Sequence, residues 1–178
     1  MKAVDIVRVS VVLVVGLVVQ HTLLDVVTVG GAHPDLMLLL AAAGGYSAGP
    51  DRGAGFGFAT GLLADLFLPT TFGLSALVFC MVGYVTAVVT AGLVRSSWWL
   101  PPVTFAAATA AGLSGYAILG AVLGQPGMIA ADLVPALTVA VPAAAVLALP
   151  ALRMVAWALP APASGLAPGS GSTLGAGR

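Results

Sequence analysis

Charged residues are scarce in this chain. Only 7% of its 178 residues are charged, and all six acids are aspartate because the sequence contains no glutamate. Soluble proteins carry charges on about a quarter of their residues, so a chain with this few cannot cover a water-exposed surface. Hydrophobic residues make up 60% of the sequence and the mean hydropathy is +1.13. These values exclude a soluble globular protein and predict an integral membrane protein.

Side chains suited to catalysis, disulfides or metal binding are also few. Cys80 is the single cysteine, which excludes an intrachain disulfide, and its apolar neighbours favour a packed residue over a reactive thiol. His21 and His33 have no cysteine or glutamate beside them, so we predict no metal and no cofactor. Ser75 has no base near it in sequence, so we predict no catalytic residues. The formal net charge of zero gives no attraction to nucleic acid.

Apolar stretches long enough to cross a bilayer recur along the chain. A transmembrane helix needs about 20 apolar residues, and the stretches that meet this need are Val4–Leu24, Thr71–Val94, Trp98–Leu123 and Leu133–Leu152. Two shorter stretches, Pro34–Ser47 and Ala54–Leu68, flank a predicted turn at Gly49–Gly53. Residues 34–68 form either two short spans or one re-entrant hairpin. The predicted fold class is an all-α polytopic membrane protein with about six transmembrane helices.

The positions of the basic residues favour six spans over five. With six spans, one side of the membrane holds all of them: Lys2, Arg8, Arg52, Arg95, Arg153 and Arg178. Five spans would put Arg153 and Arg178 opposite the N-terminal pair. Cytoplasmic loops carry an excess of Lys and Arg, so we expect a multi-pass protein of the plasma membrane with both termini in the cytoplasm.

The chain divides into a membrane domain and a tail. Lys2 and Arg8 precede the first apolar run, but no small-residue cleavage site follows it, so we expect this run to be retained as the first span. Residues 1–159 are the predicted transmembrane domain. From Pro160 the sequence is rich in Pro, Gly, Ser and Ala without hydrophobic periodicity. We therefore predict a flexible cytoplasmic tail over residues 160–178.

A glycine series occupies the third predicted span. Gly53, Gly57 and Gly61 recur every four residues and Asp65 continues the series. Residues at this spacing share one helix face, and small residues there allow another helix to approach closely. The series therefore predicts a helix-packing contact or a partner contact. It also puts Asp65 on the packed face, where it avoids the cost of a carboxylate in lipid, about 2.5–3.5 kcal/mol.

Two roles remain open for Asp65. In the first, its carboxylate accepts hydrogen bonds from the free N–H groups that open the next span near Thr70–Gly73, with support from that helix's dipole. In the second, it contacts a partner chain or a ligand in an outward cavity.

The remaining outer aspartates suggest helix capping. Asp25, Asp35 and Asp132 map to the same outer half as Asp65 under six spans. Asp35 follows Pro34 at the start of the second span, and Asp132 precedes the sixth span in a similar way. Acids are favourable at helix N-termini. We interpret Asp35 and Asp132 as outer-face polar residues that cap helices; an outward-facing acidic cluster is the alternative.

Four short motifs follow one another in the first half of the chain. They are Pro34-Asp35-Leu36, Gly57-Phe58-x-x-Gly61-Leu62-Leu63-x-Asp65-Leu66, Gly73-Leu74-Ser75-Ala76-Leu77 and Gly83-Tyr84. Together they resemble the motifs of the rod shape-determining membrane protein MreD family. The resemblance is strongest over residues 34–84 and continues through the last two spans as hydropathy and length. The tail after Pro160 is not part of the family pattern.

The resemblance implies a non-enzymatic scaffold subunit of the bacterial cell-wall elongation complex, which determines rod shape. The implied partners are the bitopic protein MreC, the actin-like MreB, and the RodA glycosyltransferase with its penicillin-binding transpeptidase. The implied fold resembles the six-helix S-components of energy-coupling-factor transporters. A vitamin-binding, substrate-capture subunit of such a transporter is the alternative function. An enzyme acting on lipid-linked precursors is a third, ranked last.

Overall fold

The fold is described from a computed structural model of the chain. The structure describes residues 3–24, 35–67, 72–92, 99–122 and 133–159. These residues contain six α-helices and a π-helical turn, Gln20–Leu24, that continues the first of them. The helices are α1 (Ala3–Val19), α2 (Leu36–Ala48), α3 (Pro50–Asp65), α4 (Leu74–Ala91), α5 (Leu100–Val122) and α6 (Leu133–Ala158). No strand occurs in the described ranges, and the all-α prediction is confirmed.

Four helical segments are long and apolar enough to cross a membrane. They are Val4–Thr22, Leu74–Ala91, Leu100–Val122 and Leu137–Ala158. The protein is thus an all-α, multi-pass membrane protein, as predicted. Helices α2 and α3 have 13 and 16 residues, fewer than the roughly 20 of an ordinary span. The count of six spans therefore stays a prediction.

The short helix α2 lies at the centre of the bundle. It contacts each of the other five helices, and 11 of its 13 residues are buried. A helix that is apolar all round needs apolar surroundings on every side, and the leucine and alanine run of α2 meets this condition. Because protein rather than lipid surrounds α2, its length does not have to match the thickness of the bilayer.

Helices α2 and α3 form a hairpin joined at Gly49. Gly49 has a φ of 86° and a ψ of 176°, a conformation found almost only in glycine. Pro50 then begins α3, at a position where a missing N–H costs nothing. The predicted turn at Gly49–Gly53 is therefore too long, since Pro50 to Gly53 are already helical. Helix α3 also ends at Asp65, three residues before its predicted end at Leu68.

The bundle has two distinguishable ends. At one end the Arg8 guanidinium lies 5.4 Å from the centroid of the Trp157 ring, so the start of α1 lies beside the end of α6. At the other end the His21 and Phe67 rings lie 5.2 Å apart between centroids. We call these the Arg8 end and the Asp65 end.

Three of the six basic residues can be placed on these ends. Arg8 and Arg153 lie near the Arg8 end, and Arg52 lies in the first turn of α3, at the opposite end of that helix from Asp65. This agrees with the predicted grouping of basic residues. The other three basic residues, Asp25, Asp132 and the predicted tail at 160–178 lie outside the described residues.

Candidate functional site

The glycine series of α3 packs directly on the backbone of α4. A Cβ added to Gly57 would lie 2.9 Å from the carbonyl carbon of Phe79, and one added to Gly61 would lie 2.6 Å from the Cα of Ala76. The atoms in the way are backbone atoms, which cannot move aside as a side-chain tip can. Helix packing within the chain therefore accounts for this part of the series, and a contact with a partner stays a prediction.

At Gly53 the contact includes a third helix. A Cβ on Gly53 would lie 2.5 Å from the Cα of Gly45 in α2 and 3.2 Å from the carbonyl oxygen of Gly83 in α4. A Cβ on Gly45 would in turn lie 2.9 Å from the carbonyl carbon of Gly83. Three glycines from three helices thus meet where no side chain fits. We call helices α2, α3 and α4, joined by these contacts, the α2–α3–α4 unit.

Asp65 caps the N-terminus of α4. The N–H groups of Gly73 and Ala76 donate to its Oδ2 at 2.8 and 3.2 Å, and the N–H of Ser75 donates to its Oδ1 at 3.1 Å. The side chain is only 4% exposed. The first N–H groups of a helix have no partner within it, and the helix dipole favours a negative charge there.

Of the two predicted roles of Asp65, capping is the one that these hydrogen bonds show. The donors lie slightly later in the chain than predicted, because they include Ser75 and Ala76; Thr70 and Thr71 lie outside the described residues. Gly73 has a φ of 97°, in the left-handed region that favours glycine. Its conformation and its hydrogen bond to Asp65 lie directly before the first residue of α4.

Helix α2 has two caps, one predicted and one missed. The N–H groups of Met37 and Leu38 donate to Oδ1 of Asp35 at 2.9 and 3.1 Å, which agrees with the capping interpretation of Asp35. The N–H of Leu36 donates to Oε1 of Gln20 at 2.7 Å. Gln20 is buried, at 8% exposure. The sequence signal for this cap is the position of Gln20, a polar amide that directly follows a long valine-rich run.

The acidic cluster considered from the sequence is only partly within the described residues. Asp35 and Asp65 each cap a helix of their own, while Asp25, Asp132 and His33 lie outside the described ranges. Within those ranges, no group of three or more His, Cys, Asp or Glu side chains could hold a metal ion.

The hydroxyl of Ser75 donates a hydrogen bond to the hydroxyl oxygen of Tyr116 at 3.4 Å, so the partner of this serine is a tyrosine of α5.

Four residues of the motifs are about half-exposed or more, namely Phe58, Leu66, Leu77 and Tyr84, and two of these are aromatic. Phe58 and Tyr84 are each 49% exposed, and each follows a glycine that faces the α3–α4 contact. Successive residues of a helix point about 100° apart, so these aromatic rings lie at the side of the contact and on the outer surface of the α2–α3–α4 unit.

The site is therefore a packing centre with an aromatic outer surface. Asp35 and Asp65 cap helices in it, and its glycines bring three backbones together. No protein-family model, curated protein or solved structure matches this chain.

Proposed function

We propose that this protein is a non-enzymatic scaffold subunit of the bacterial cell-wall elongation complex, the role that its resemblance to the MreD family implies. One observation supports the proposal most directly. Apart from Pro34, which lies outside the described residues, the motif residues that carry the resemblance belong to the α2–α3–α4 unit or cap its helices. In this unit Asp35 and Asp65 cap helices, and the glycines set the distance between backbones. Side chains mounted on such a rigid unit have fixed positions, as a scaffold surface requires.

The partner contact in this proposal uses Phe58 and Tyr84. The preceding glycines, Gly57 and Gly83, pack against backbone atoms of neighbouring helices, whereas the two aromatic rings are half-exposed. Aromatic side chains contribute large contact areas and are enriched at interfaces. The transmembrane helix of a bitopic partner, MreC in this proposal, would pack against these rings. MreB and the RodA–penicillin-binding protein synthase would join the same complex.

The proposed location is the plasma membrane with both termini in the cytoplasm. Arg8, Arg52 and Arg153 share one end of the bundle, and an excess of basic residues marks the cytoplasmic side. The Asp65 end would then face outward.

The vitamin-capture alternative receives less support. A capture site needs polar side chains that are free to converge on a small hydrophilic ligand. Asp35 and Asp65 are the acids available at the Asp65 end within the described residues, and both accept hydrogen bonds from backbone N–H groups. A scaffold needs no such set of free polar groups.

Co-purification with tagged MreC tests the proposal. We expect Phe58→Ala and Tyr84→Ala together to weaken MreC binding at least about 30-fold and so to lower its recovery, since truncating a central interface aromatic costs more than about 1 kcal/mol. Cells carrying the double variant in place of the wild-type gene should lose rod shape. The control is Val146→Ala in α6, because Val146 is 77% exposed and lies outside the unit. Unchanged recovery and unchanged cell shape in the double variant would reject this surface.

A further inference from the structure

A groove separates α1 from α6 near the Arg8 end. Its volume is about 350 Å³, and it is lined by Val11, Val12 and Val15 of α1 and by Arg153, Met154 and Trp157 of α6. Arg8 lies one helical turn from Val11 and Val12, with its guanidinium over the Trp157 ring. The groove therefore has an apolar floor, and cationic side chains lie along its edge.

The charges around the groove are predominantly positive. Arg8 is half-buried and Arg153 is exposed. The described parts of α1 and α6 contain one acid, Asp5, three positions before Arg8 and half-buried. The described parts of α1 and α6 thus carry two guanidinium groups and one carboxylate near the groove. Their net positive charge favours binding of an anion.

Depth in the membrane also distinguishes this groove. Arg8 is five residues from the start of α1, about 8 Å along the helix axis, and Trp157 lies in the last turn of α6. Trp side chains favour the headgroup level of a bilayer. The cationic edge therefore lies at headgroup level, and the valines extend from it toward the hydrocarbon core.

We propose that this groove binds one anionic phospholipid. Its phosphate lies between the guanidinium groups of Arg8 and Arg153, and one acyl chain lies along Val11 and Val15. Arginine donates paired hydrogen bonds to phosphate oxygens, and basic pockets between transmembrane helices bind anionic headgroups. A zwitterionic lipid has no net charge to complement the two arginines, and an acidic peptide would leave the valine floor uncovered. An anionic phospholipid matches both parts.

This inference rests on the membrane embedding and not on the proposed scaffold function. The test is a lipid titration of the full-length protein in a neutral detergent, followed by native mass spectrometry. The probes are phosphatidylglycerol and phosphatidylcholine with the same acyl chains. We expect phosphatidylglycerol to bind at least tenfold more tightly, and equal binding of both lipids would overturn the proposal.

Charge variants locate the headgroup. Attraction of about 1 kcal/mol for each basic residue predicts about a fivefold loss of phosphatidylglycerol affinity for Arg8→Gln or Arg153→Gln, and about 30-fold for both. Arg52→Gln is the matched control, since it removes an exposed arginine from the same end of the bundle but outside the groove; it should change the affinity by less than about twofold. Equal losses in the control and the groove variants, or no loss in the double variant, would overturn the proposal.

A steric variant tests the acyl chain independently of charge. Val15 is 43% exposed, so Val15→Trp can fill the groove while keeping both arginines, and it should lower phosphatidylglycerol affinity about tenfold. If the double arginine variant does not fold, Arg153→Gln and Val15→Trp still decide the question, because both replace exposed side chains. Displacement of the lipid by millimolar inorganic phosphate would show an anion site without a lipid preference and would also overturn the proposal.

Discussion

Gly53 of α3 and Gly83 of α4 meet backbone to backbone, so that a Cβ on Gly53 would lie 3.2 Å from the Gly83 carbonyl oxygen. Gly45 of α2 contacts the backbone of both glycines. In a bilayer the lipid tails are as apolar as the helices, and helices associate through close van der Waals packing. The three glycines allow that packing, and they let the short helix α2 lie at the centre of the bundle.

The first prediction concerns the α3–α4 contact. Gly57→Ala should destabilise the protein by about 1–3 kcal/mol, because the added methyl group meets backbone atoms that cannot yield. Thermal unfolding in detergent measures the effect. The matched control is Gly55→Ala in the same helix, where nothing lies within 4 Å of the added Cβ. The control should be neutral or stabilising by up to about 1 kcal/mol, from helix propensity. Equal melting temperatures for the two variants would contradict the contact.

The second prediction separates the two roles of Asp65. Asp65→Ala leaves the N–H groups of Gly73, Ser75 and Ala76 without their acceptor, which should cost at least about 1–3 kcal/mol. Asp65→Asn keeps one carbonyl oxygen as an acceptor and should cost less. The measurements are the melting temperature and the recovery of MreC. A wild-type melting temperature in Asp65→Ala would argue against the cap, and lost MreC recovery with unchanged stability in Asp65→Asn would favour a partner contact.

The third prediction concerns the cap of α2. Asp35→Ala should cost about 0.5–2 kcal/mol, whereas Asp35→Ser should stay close to the wild type, because serine also caps helix N-termini. Asp51→Ala serves as the comparison, since Asp51 is an exposed acid in the first turn of α3. A larger loss of stability in Asp51→Ala than in Asp35→Ala would be inconsistent with the hydrogen bonds to Met37 and Leu38.

The fourth prediction tests the orientation in the membrane and the passage of α3 across it. In a Cys80→Ser background, Phe72→Cys should react with an impermeant maleimide added outside spheroplasts. Phe72 is 63% exposed and follows α3 at the Asp65 end. Arg52→Cys should react only after the membrane is opened. The reverse pattern would put the termini outside, and labelling of both from one side would indicate a re-entrant hairpin.

Much of this architecture was predictable because it depends on local chemistry. The lack of charge specified a membrane protein, and the spacing of Gly53, Gly57 and Gly61 put them on one helix face. Asp35 could be assigned to a cap because a cap bonds to the residues that follow it. The start of α3 was misplaced, since Pro50 and Gly53 resemble turn residues, yet a proline is suited to the first position of a helix.

The sequence by itself determined the class of the protein, its apolar segments and the small-residue face of α3, since each of these follows from composition or from spacing along one helix. Only the tertiary structure decided which surfaces those features meet. It brought Gly45 and Gly83 to Gly53, Gln20 to the N–H of Leu36, and Arg8 to Trp157. These pairings join residues far apart in the chain, and their geometry depends on how all the helices pack at once.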